Sequence, residues 1–441
     1  MKFNIIKFLL WIFIILELFI IAVFIFESSY FHEEMMDGFC KDCNIVIISI
    51  DTLRADHVGI YGYNRNTTPY IDTLASESVV FKKAFSQAPS TVASHMTLFT
   101  SLYPPIHNVC FYPDLLNCTQ SLSSSHFLLA ELLSFYNYST GGFIDEGLMS
   151  SIPGFSRGFD TWIEYQSYFN QTAHLLESLD WIKNNSNEKF FLFFHTYVVH
   201  DPYAPPSNFK KWSDNNSDIY SSFIELEKDM AIFNLTDREL FWKNVSREDL
   251  NDRNQVIALY DEEILYADKI VESIVLQLKE LGIYNNTIII ITSDHGEEFW
   301  EHNGILHWKL FNEILHVPLI IKIPNIQHKI INSYVRLIDV VPTIVELLDL
   351  YTLPQFQGES LTPLFIKNMS DRVVASYGVH LYKKSFIKDN WKLIFLSNNS
   401  FQLYDLENNF YEQTNLADIY PNKVLELEQD FESFNQKIHS T

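Results

Sequence analysis

Residues 287–298 read TIIIITSDHGEE. Four consecutive isoleucines between two threonines predict a short strand that is buried on both faces, as the strands of parallel sheets are. The strand ends just before Asp294 and His295, which are two potential metal ligands. Because open α/β sheets bind ligands beyond the carboxyl ends of their strands, this stretch indicates both a fold class and the position of a site.

A second stretch repeats this arrangement. Residues 44–50 read NIVIISI and are followed directly by Asp51. Further buried strands are predicted at 191–199 and 317–323, and helical segments separate the strands. Strands that alternate with helices predict an α/β sandwich whose central sheet is mostly parallel and flanked by helices.

The second half of the chain adds a long helix and a small terminal sheet. Apolar residues recur every three or four positions over 260–278, which predicts a helix packed on the sheet. Its three consecutive acids, Asp261–Glu263, are expected to face solvent. Residues 391–395 and 401–406 are expected to form a small C-terminal antiparallel sheet, closed by a helix over 423–438.

A hydroxyl residue stands at the start of another predicted helix. Residues 88–100 read APSTVASHMTLFT, and the ordinary role of Thr91 there is to cap the helix. Thr91 has a second possible role, as part of a metal site. Asp51, Asp294 and His295 follow predicted strands, and Thr91 begins a predicted helix. Carboxylates, an imidazole and a hydroxyl suit a divalent cation. A bound cation lowers the pKa of a hydroxyl and makes it a nucleophile.

Three other histidines are candidates for contact with a substrate. His95 lies one turn after Thr91, His200 follows a predicted strand, and His307 follows the stretch at 287–298. We expect them to hold substrate oxygens or to protonate a leaving group. His195 lies inside a predicted strand, where a hydrogen-bonded core histidine is the expected role.

The charge of the chain limits its partners. It has 55 Asp and Glu against 31 Lys and Arg, which gives a formal net charge of −24. This charge disfavours nucleic acid and anionic surfaces as general partners. A site for an anionic ester would need local positive charge, and a metal ion provides it.

The first 27 residues predict a membrane anchor. Residues 8–26 are almost continuously apolar, interrupted only by Glu17, and Lys2 and Lys7 precede them. About 20 apolar residues cross a bilayer as a helix, and no clear cleavage site follows. The basic residues place the N-terminus inside. We therefore expect a single-pass protein of the cell membrane with an extracellular catalytic domain.

The cysteines and possible glycan sites agree with an exterior location. Four cysteines predict two disulfides with three possible pairings, of which we favour the pairing Cys110–Cys118. The remaining two, Cys40 and Cys43, are expected to be structural. Acceptor sequences for N-linked glycans begin at Asn66, Asn117, Asn137, Asn234 and Asn368.

Taken in chain order, several short segments resemble the sulfatase family of the alkaline phosphatase superfamily. They are IDTLRAD at 50–56, TPYID at 68–72, TVASH at 91–95 with YP at 103–104, GFD at 158–160, HDPY at 200–203, TSDHGE at 292–297, VPL at 317–319, DVVPT at 339–343, and LYDL at 403–406 with NL at 415–416. Each segment is modest alone, but their order and spacing are specific.

The resemblance implies an alkaline-phosphatase-like fold, one metal site and a nucleophile at Thr91. The implied metal ligands are Asp51, Thr91, Asp294 and His295. His95 falls where the family's motif usually has an arginine that steadies the nucleophile. His200 matches the family's substrate-contacting histidine, and His307 falls where relatives place a lysine or histidine on the substrate.

The chain also departs from the typical family pattern. Typical sulfatases carry at the position of Thr91 a Cys or Ser that is oxidised to formylglycine, and threonine is not expected to undergo that conversion. Ala93 replaces a proline, Ser101 a glycine, Thr52 an aspartate and His295 an asparagine. These departures resemble the phosphodiesterases, phosphoethanolamine transferases and lipoteichoic-acid-type synthases that use a metal-bound threonine. The implied metal is then manganese, magnesium or zinc rather than calcium.

The predicted organisation has four parts. They are an N-terminal membrane anchor (1–27), a linker (28–43), a sulfatase-like catalytic domain (44–370) that contains an insertion or lid (207–251), and a C-terminal subdomain (371–441).

Three functions are compatible with these features. The leading hypothesis is a membrane-anchored, outward-facing, metal-dependent hydrolase of sulfate or phosphate esters whose substrate carries a glycan or a lipid head group. A phosphoethanolamine- or phosphoglycerol-type transferase acting on cell-surface glycans or lipids is an alternative, because a threonine nucleophile accompanies a membrane anchor. A glycan-binding pseudoenzyme is a further alternative, which the substitutions at Ala93 and Ser101 suggest.

Overall fold

The computed structural model describes residues 40–110, 118–119, 121–145, 149, 154–165, 171–214, 250–366, 371–379, 383–397 and 400–440. Its strands are β1 (Asn44–Ile50), β2 (Val79–Phe85), β3 (Ser139–Ile144), β4 (Thr161–Glu164), β5 (Phe190–Thr196), β6 (Thr287–Thr292), β7 (Glu298–Phe299), β8 (Ile305–Leu306), β9 (His316–Lys322), β10 (Lys329–Arg336), β11 (Val374–Tyr377), β12 (Lys384–Lys388), β13 (Trp391–Phe395) and β14 (Phe401–Asp405).

The α-helices follow the same order along the chain. They are α1 (Pro69–Ala75), α2 (Thr91–Thr100), α3 (Pro104–His107), α4 (Leu129–Phe135), α5 (Gln171–Asn185), α6 (Leu250–Glu280), α7 (Asn312–Leu315), α8 (Val340–Leu347), α9 (Pro363–Ile366) and α10 (Pro421–Ser440).

Within the described residues, the central sheet has eight strands in the order β10-β2-β9-β6-β1-β5-β3-β4. Every neighbouring pair is parallel except the two pairs that contain β9. Alternate residues of β1 enter two different cores. Ile45 and Ile47 pack with α2, α4 and α8, whereas Val46 and Ile48 pack with α1, α5 and α6. The predicted α/β sandwich with a mostly parallel, helix-flanked sheet is therefore confirmed.

The predicted C-terminal antiparallel sheet is also confirmed. Strands β11, β12, β13 and β14 pair in order, each antiparallel to its neighbour. Helix α10 covers one face of this sheet with Leu427 and Phe431. A buried ion pair, Lys392 Nζ to Glu412 Oε1 at 2.7 Å, lies within this part of the chain, and the same Nζ donates to Asn312 Oδ1 at 2.8 Å. The terminal sheet is thereby fixed to the central domain.

Two predictions are wrong: the end of the strand over 191–199 and the exposure of the acids Asp261–Glu263. The strand predicted at 191–199 ends at Thr196, because the main chain turns there and the amide of Tyr197 donates to Asp145 Oδ2 at 3.0 Å. The acids Asp261–Glu263 do not face solvent, since all three are buried on α6. Loops distant in the sequence supply their hydrogen-bond donors.

These buried acids hold the loops around one end of the sheet. Asp261 accepts from His57, Tyr63 and Arg65 at 2.6–2.7 Å. Glu262 accepts three consecutive main-chain amides over 211–213 at 2.6–2.7 Å, and Glu263 accepts the amide of Ala204 at 2.7 Å. Burying a carboxylate is costly unless donors replace its water, and here they do.

Two disulfides join Cys40 to Cys43 and Cys110 to Cys118. The favoured pairing is thus confirmed. The predicted anchor at 1–27 lies outside the described residues, as does most of the predicted insertion at 207–251. Within the described part of the chain, no helix combines the length and the apolar composition that a membrane crossing needs.

Candidate active site

Neighbouring strands bring the predicted ligands together. β1 and β6 are adjacent and parallel, with Ser49 opposite Thr292. Two residues further along, Asp51 and Asp294 therefore leave the sheet side by side at its carboxyl edge. Helix α2 begins at this edge with Thr91.

The distances define a compact cluster. Thr91 Oγ1 lies 3.4 Å from Asp51 Oδ2 and 3.4 Å from His295 Nε2. His295 Nε2 in turn lies 3.2 Å from Asp294 Oδ2. All four residues are buried. The structure thus assembles the complete predicted ligand set, which we call the ligand cluster: Asp51, Thr91, Asp294 and His295.

The ligand cluster fits a divalent cation. Among the described residues, Asp51 Oδ1 and Asp294 Oδ2 have no hydrogen-bond partner although they are buried. His295 Nδ1 lies 3.0 Å from the carbonyl oxygen of Gly296 and must donate its proton there. In the neutral ring, Nε2 then carries the lone pair and faces the two carboxylates, which is the tautomer that a metal ligand needs. Carboxylate and imidazole groups are common ligands of divalent cations.

The charges of the two carboxylates reinforce this conclusion. Burial and the nearby charge of Asp294 raise the pKa of Asp51 well above its usual range. Burial also acts to raise the pKa of Asp294, but His295 and other histidines outweigh it and lower that pKa. Two buried carboxylates at one sheet edge repel each other, and a cation relieves that repulsion.

His195 belongs to the site, which the sequence interpretation missed. It lies in β5 beside β1, and its Nε2 is 3.1 Å from Asp51 Oδ2. Burial lowers its pKa to about 4, so the ring is neutral near pH 7 and donates its Nε2 proton to the carboxylate. It therefore orients Asp51. The position of His195, a polar residue near the end of a predicted strand, was the sequence feature that could have indicated this role.

His95 lies behind the ligand cluster rather than at its surface. Its Nδ1 is 2.9 Å from the carbonyl oxygen of Thr91, and its Nε2 is 2.9 Å from Ser49 Oγ. The carbonyl can only accept, so Nδ1 donates and Nε2 accepts from Ser49. With both nitrogens bonded, the geometry supports a positioning role that fixes the first turn of α2.

His200 and His307 line the outer side of the ligand cluster. The ring of His307 lies 4.3 Å from that of His295 and 5.3 Å from that of His200, measured between centroids. His200 stacks on Tyr197 at 4.0 Å, and its Nδ1 donates to the carbonyl oxygen of Asp201 at 2.8 Å. The structure therefore brings His307 beside His295 and His200 beside His307.

Two departures from the family pattern have visible structural consequences. Ser101 ends α2 in the left-handed region with φ 56°, where a glycine is usual, and its Oγ donates to Ile338 O at 2.9 Å. Thr52, which replaces an aspartate, also has a positive φ of 55°. Its amide approaches Asp294 Oδ1 at 3.4 Å and its hydroxyl donates to Val199 O. Thr52 therefore positions Asp294 and adds no carboxylate to the cluster. A β-branched residue with positive φ is strained, as is common at functional sites.

The fold and the ligand cluster define an alkaline-phosphatase-like ester hydrolase. Residues 43–350 match the family model described as sulfatase, and residues 301–437 match the model described as N-sulphoglucosamine sulphohydrolase, C-terminal. The chain belongs to the sulfatase family and is a sulfatase-type hydrolase of sulfate esters.

Individual relatives and solved structures are similar to this chain. Arylsulfatase K of Bos taurus is 23% identical over 437 residues, which cover 83% of this chain and 76% of the relative. The fold is similar to the phosphonate monoester hydrolase of Agrobacterium radiobacter, with a TM-score of 0.72, 17% identity and coverage of 90% of this chain and 96% of the other. It is also similar to an enzyme solved with its substrate D-glucosamine-2-N,6-O-disulfate, with a TM-score of 0.73, 16% identity and coverage of 91% and 99%.

Proposed function

We propose that the protein is a metal-dependent hydrolase of sulfate or phosphate esters in which the hydroxyl of Thr91 is the nucleophile. The observation that carries the proposal is the position of Thr91 Oγ1, 3.4 Å from both Asp51 Oδ2 and His295 Nε2. Thr91 is the first residue of α2, so an ester anion in front of it also meets the positive end of a ten-residue helix.

The proposed reaction has two displacements. Thr91 Oγ attacks sulfur or phosphorus, the bond to the alcohol oxygen breaks, and the hydroxyl proton leaves to Asp51 Oδ2. The departing alcohol takes a proton from His200 or His307. Water then attacks the sulfo- or phosphothreonine and gives a proton to the same histidine. The bond to Thr91 Oγ breaks, Asp51 returns the proton to this oxygen, and sulfate or phosphate is released. A divalent cation held by the ligand cluster would supply charge neutralisation and a lower hydroxyl pKa.

The threonine favours direct attack by water in the second step. Its Cβ carries a single oxygen, whereas the carbon of a hydrated aldehyde carries two and can expel the covalent group by breaking a C–O bond. The group on Thr91 can therefore leave only by displacement at sulfur or phosphorus. This requirement keeps both ester classes open. The named substrate of the similar disulfated glucosamine enzyme supports a sulfated sugar, and the phosphonate monoester hydrolase supports a phosphorus ester.

We further propose that the protein is anchored by residues 1–27 with its catalytic domain outside the cell. The apolar run and its basic flank support the anchor. The two disulfides support an oxidising exterior compartment.

Substitution of Thr91 tests the mechanism. Purified protein is assayed with aryl sulfate, aryl phosphodiester and phosphonate monoester, each with manganese, magnesium, zinc or calcium. We expect Thr91→Ala to lower turnover by about 10³-fold or more, and Thr91→Ser to retain turnover because it keeps the hydroxyl. Acid-quenched protein should carry the sulfo or phosphoryl group on the peptide that contains Thr91.

The outcomes separate the alternatives. Unchanged turnover in Thr91→Ala contradicts the nucleophile. If the substrate carries a label in its sulfo or phosphoryl group, passage of that label to a glycan acceptor rather than to water identifies a transferase. Folded protein without a bound divalent ion and without turnover on any ester identifies a pseudoenzyme.

A further inference from the structure

Two exposed aromatic side chains, Phe135 and Tyr351, together with the partly buried Tyr136, form a surface that we call the aromatic patch. Phe135 is 79% exposed and Tyr351 is 64% exposed. The rings of Phe135 and Tyr136 meet edge to face at 5.4 Å, and the amide of Tyr351 donates to the hydroxyl of Tyr136 at 3.3 Å. Grouped aromatic rings with this exposure mark an interaction surface more often than isolated ones do.

The aromatic patch lies beside residues 41–43, which lead into β1. Lys41 Nζ pairs with Asp349 Oδ2 at 2.8 Å, two residues before Tyr351. The hydroxyl of Tyr138, two residues after Tyr136, donates to the carbonyl oxygen of Cys43 at 3.1 Å. The chain that precedes residue 40 therefore joins the domain beside the patch.

The aromatic patch and the ligand cluster lie at opposite edges of the sheet. Cys43 directly precedes β1 and Asp51 directly follows it. Seven strand residues at about 3.3 Å each separate the two edges by roughly 23 Å. Tyr136 likewise precedes β3, on the same edge as Cys43.

The lysines beside the aromatic patch are paired with acids. Lys41 is paired with Asp349, and Lys189 is paired with Asp42 at 3.2 Å. Such a surface differs from the acidic average of the chain, whose formal net charge is −24. Aromatic side chains favour the head-group region of a bilayer, where the ring is buried and a polar end stays hydrated.

We propose that the aromatic patch rests on the bilayer that residues 1–27 cross, and that the active site therefore faces away from this membrane. This contact requires that Asn137, which is exposed beside the patch, carries no glycan. The inference depends on the anchor in the proposed function and goes beyond it by setting an orientation. Residues 28–39, fully extended, reach about 40 Å, which would let an undocked domain turn. Docking of the patch holds the ligand cluster roughly 23 Å above the membrane. The substrates are then esters outside the membrane, and lipid head groups of the same bilayer are out of reach.

Fluorescence quenching tests the contact. The full chain is reconstituted in phosphatidylcholine vesicles with or without brominated acyl chains. We expect the indole added by Phe135→Trp to be quenched relative to the parent protein. The matched control is Tyr411→Trp, because Tyr411 is 49% exposed and lies near Arg54, just beyond Asp51 at the opposite edge. Equal quenching at both positions, or none at 135, overturns the proposal, and so does a chain that does not insert.

Substrate presentation tests the orientation. The vesicle-bound chain is given a soluble ester and, separately, the same ester on a lipid of its own vesicle. We expect turnover of the soluble ester only, and a several-fold gain on the lipid ester in Phe135→Ser/Tyr351→Ser but not in Tyr411→Ser. Efficient turnover of the lipid ester by the parent chain overturns the orientation. So does a concentration-dependent dimer that the double substitution abolishes, since the patch would then bind a second copy. A chain without activity on either ester contradicts the proposed function, while the quenching result still decides the contact.

Discussion

Replacement of His195 by alanine should weaken the binding of a divalent cation by the ligand cluster. His195 is fully buried, and its Nε2 contacts Asp51 Oδ2 at 3.1 Å. Without this donor, the hydrogen bond that Asp51 Oδ2 keeps among the described residues is the contact with Thr91 Oγ1 at 3.4 Å. The carboxylate can then rotate, and its pKa, already raised by burial and by Asp294, has lost a hydrogen bond that favours the charged form.

The expected magnitude follows from the role of such supporting donors. Removing a partner that orients a ligating group costs about 10–100-fold in metal affinity. At about 1.4 kcal/mol for each factor of ten, this is about 1.4–2.8 kcal/mol. His195→Gln should recover part of the loss, because its amide can still donate.

Isothermal titration with manganese and zinc measures the affinities of the folded variants. The matched control is His174→Ala. His174 is equally buried but stacks on Phe194, on the other face of β5, with ring centroids 4.4 Å apart. Unchanged affinity in His195→Ala, or an equal loss in His174→Ala, would refute the reasoning.

Two further predictions concern stability. Burial lowers the pKa of His107 to about 3. Below about pH 6.5, His107 therefore binds a proton in the unfolded state but not in the native state. Urea titrations should show the free energy of unfolding falling as the pH drops from about 6.5 towards 4, by up to about 1.4 kcal/mol per pH unit for this histidine. His107→Gln should make this pH dependence less steep. An unaltered pH dependence contradicts the lowered pKa of His107. Asp261→Ala leaves His57 and Arg65 without their carboxylate, so it should lower the free energy of unfolding by about 3–5 kcal/mol. The exposed acid Glu280 on the same helix should cost less than about 0.5 kcal/mol when replaced by alanine, and similar losses in both variants would contradict the network.

Local sequence was sufficient to predict the position of a strand that is buried on both faces. β6 has the predicted bounds, because β-branched residues bounded by threonine leave few alternatives. β10 was missed, since KIINSYVR mixes polar and apolar residues at a sheet edge. The acids of Asp261–Glu263 were misplaced for a related reason. Their donors come from residues 57–65 and 204–213, and no helical periodicity reports a partner about 50–200 residues away.

The site was predictable only as far as strand ends identify it. Asp51 and Asp294 were found because each follows an unmistakable strand. His195 was not found, because a histidine inside a strand has the same sequence pattern whether it faces a core or a carboxylate. Only the pairing of β1 with β5 places its ring against Asp51.

The hydroxyl of Thr91 points away from the amides of its own helix. Ser90 occupies the N-cap position of α2, and Thr91 is the first helical residue. Its Oγ1 contacts Asp51 and His295, both outside the helix. A threonine with a capping role would turn its oxygen towards the amides of its own helix. Because this hydroxyl instead points at a carboxylate and an imidazole, it does not cap its own helix, and it has the orientation that the proposed nucleophile needs.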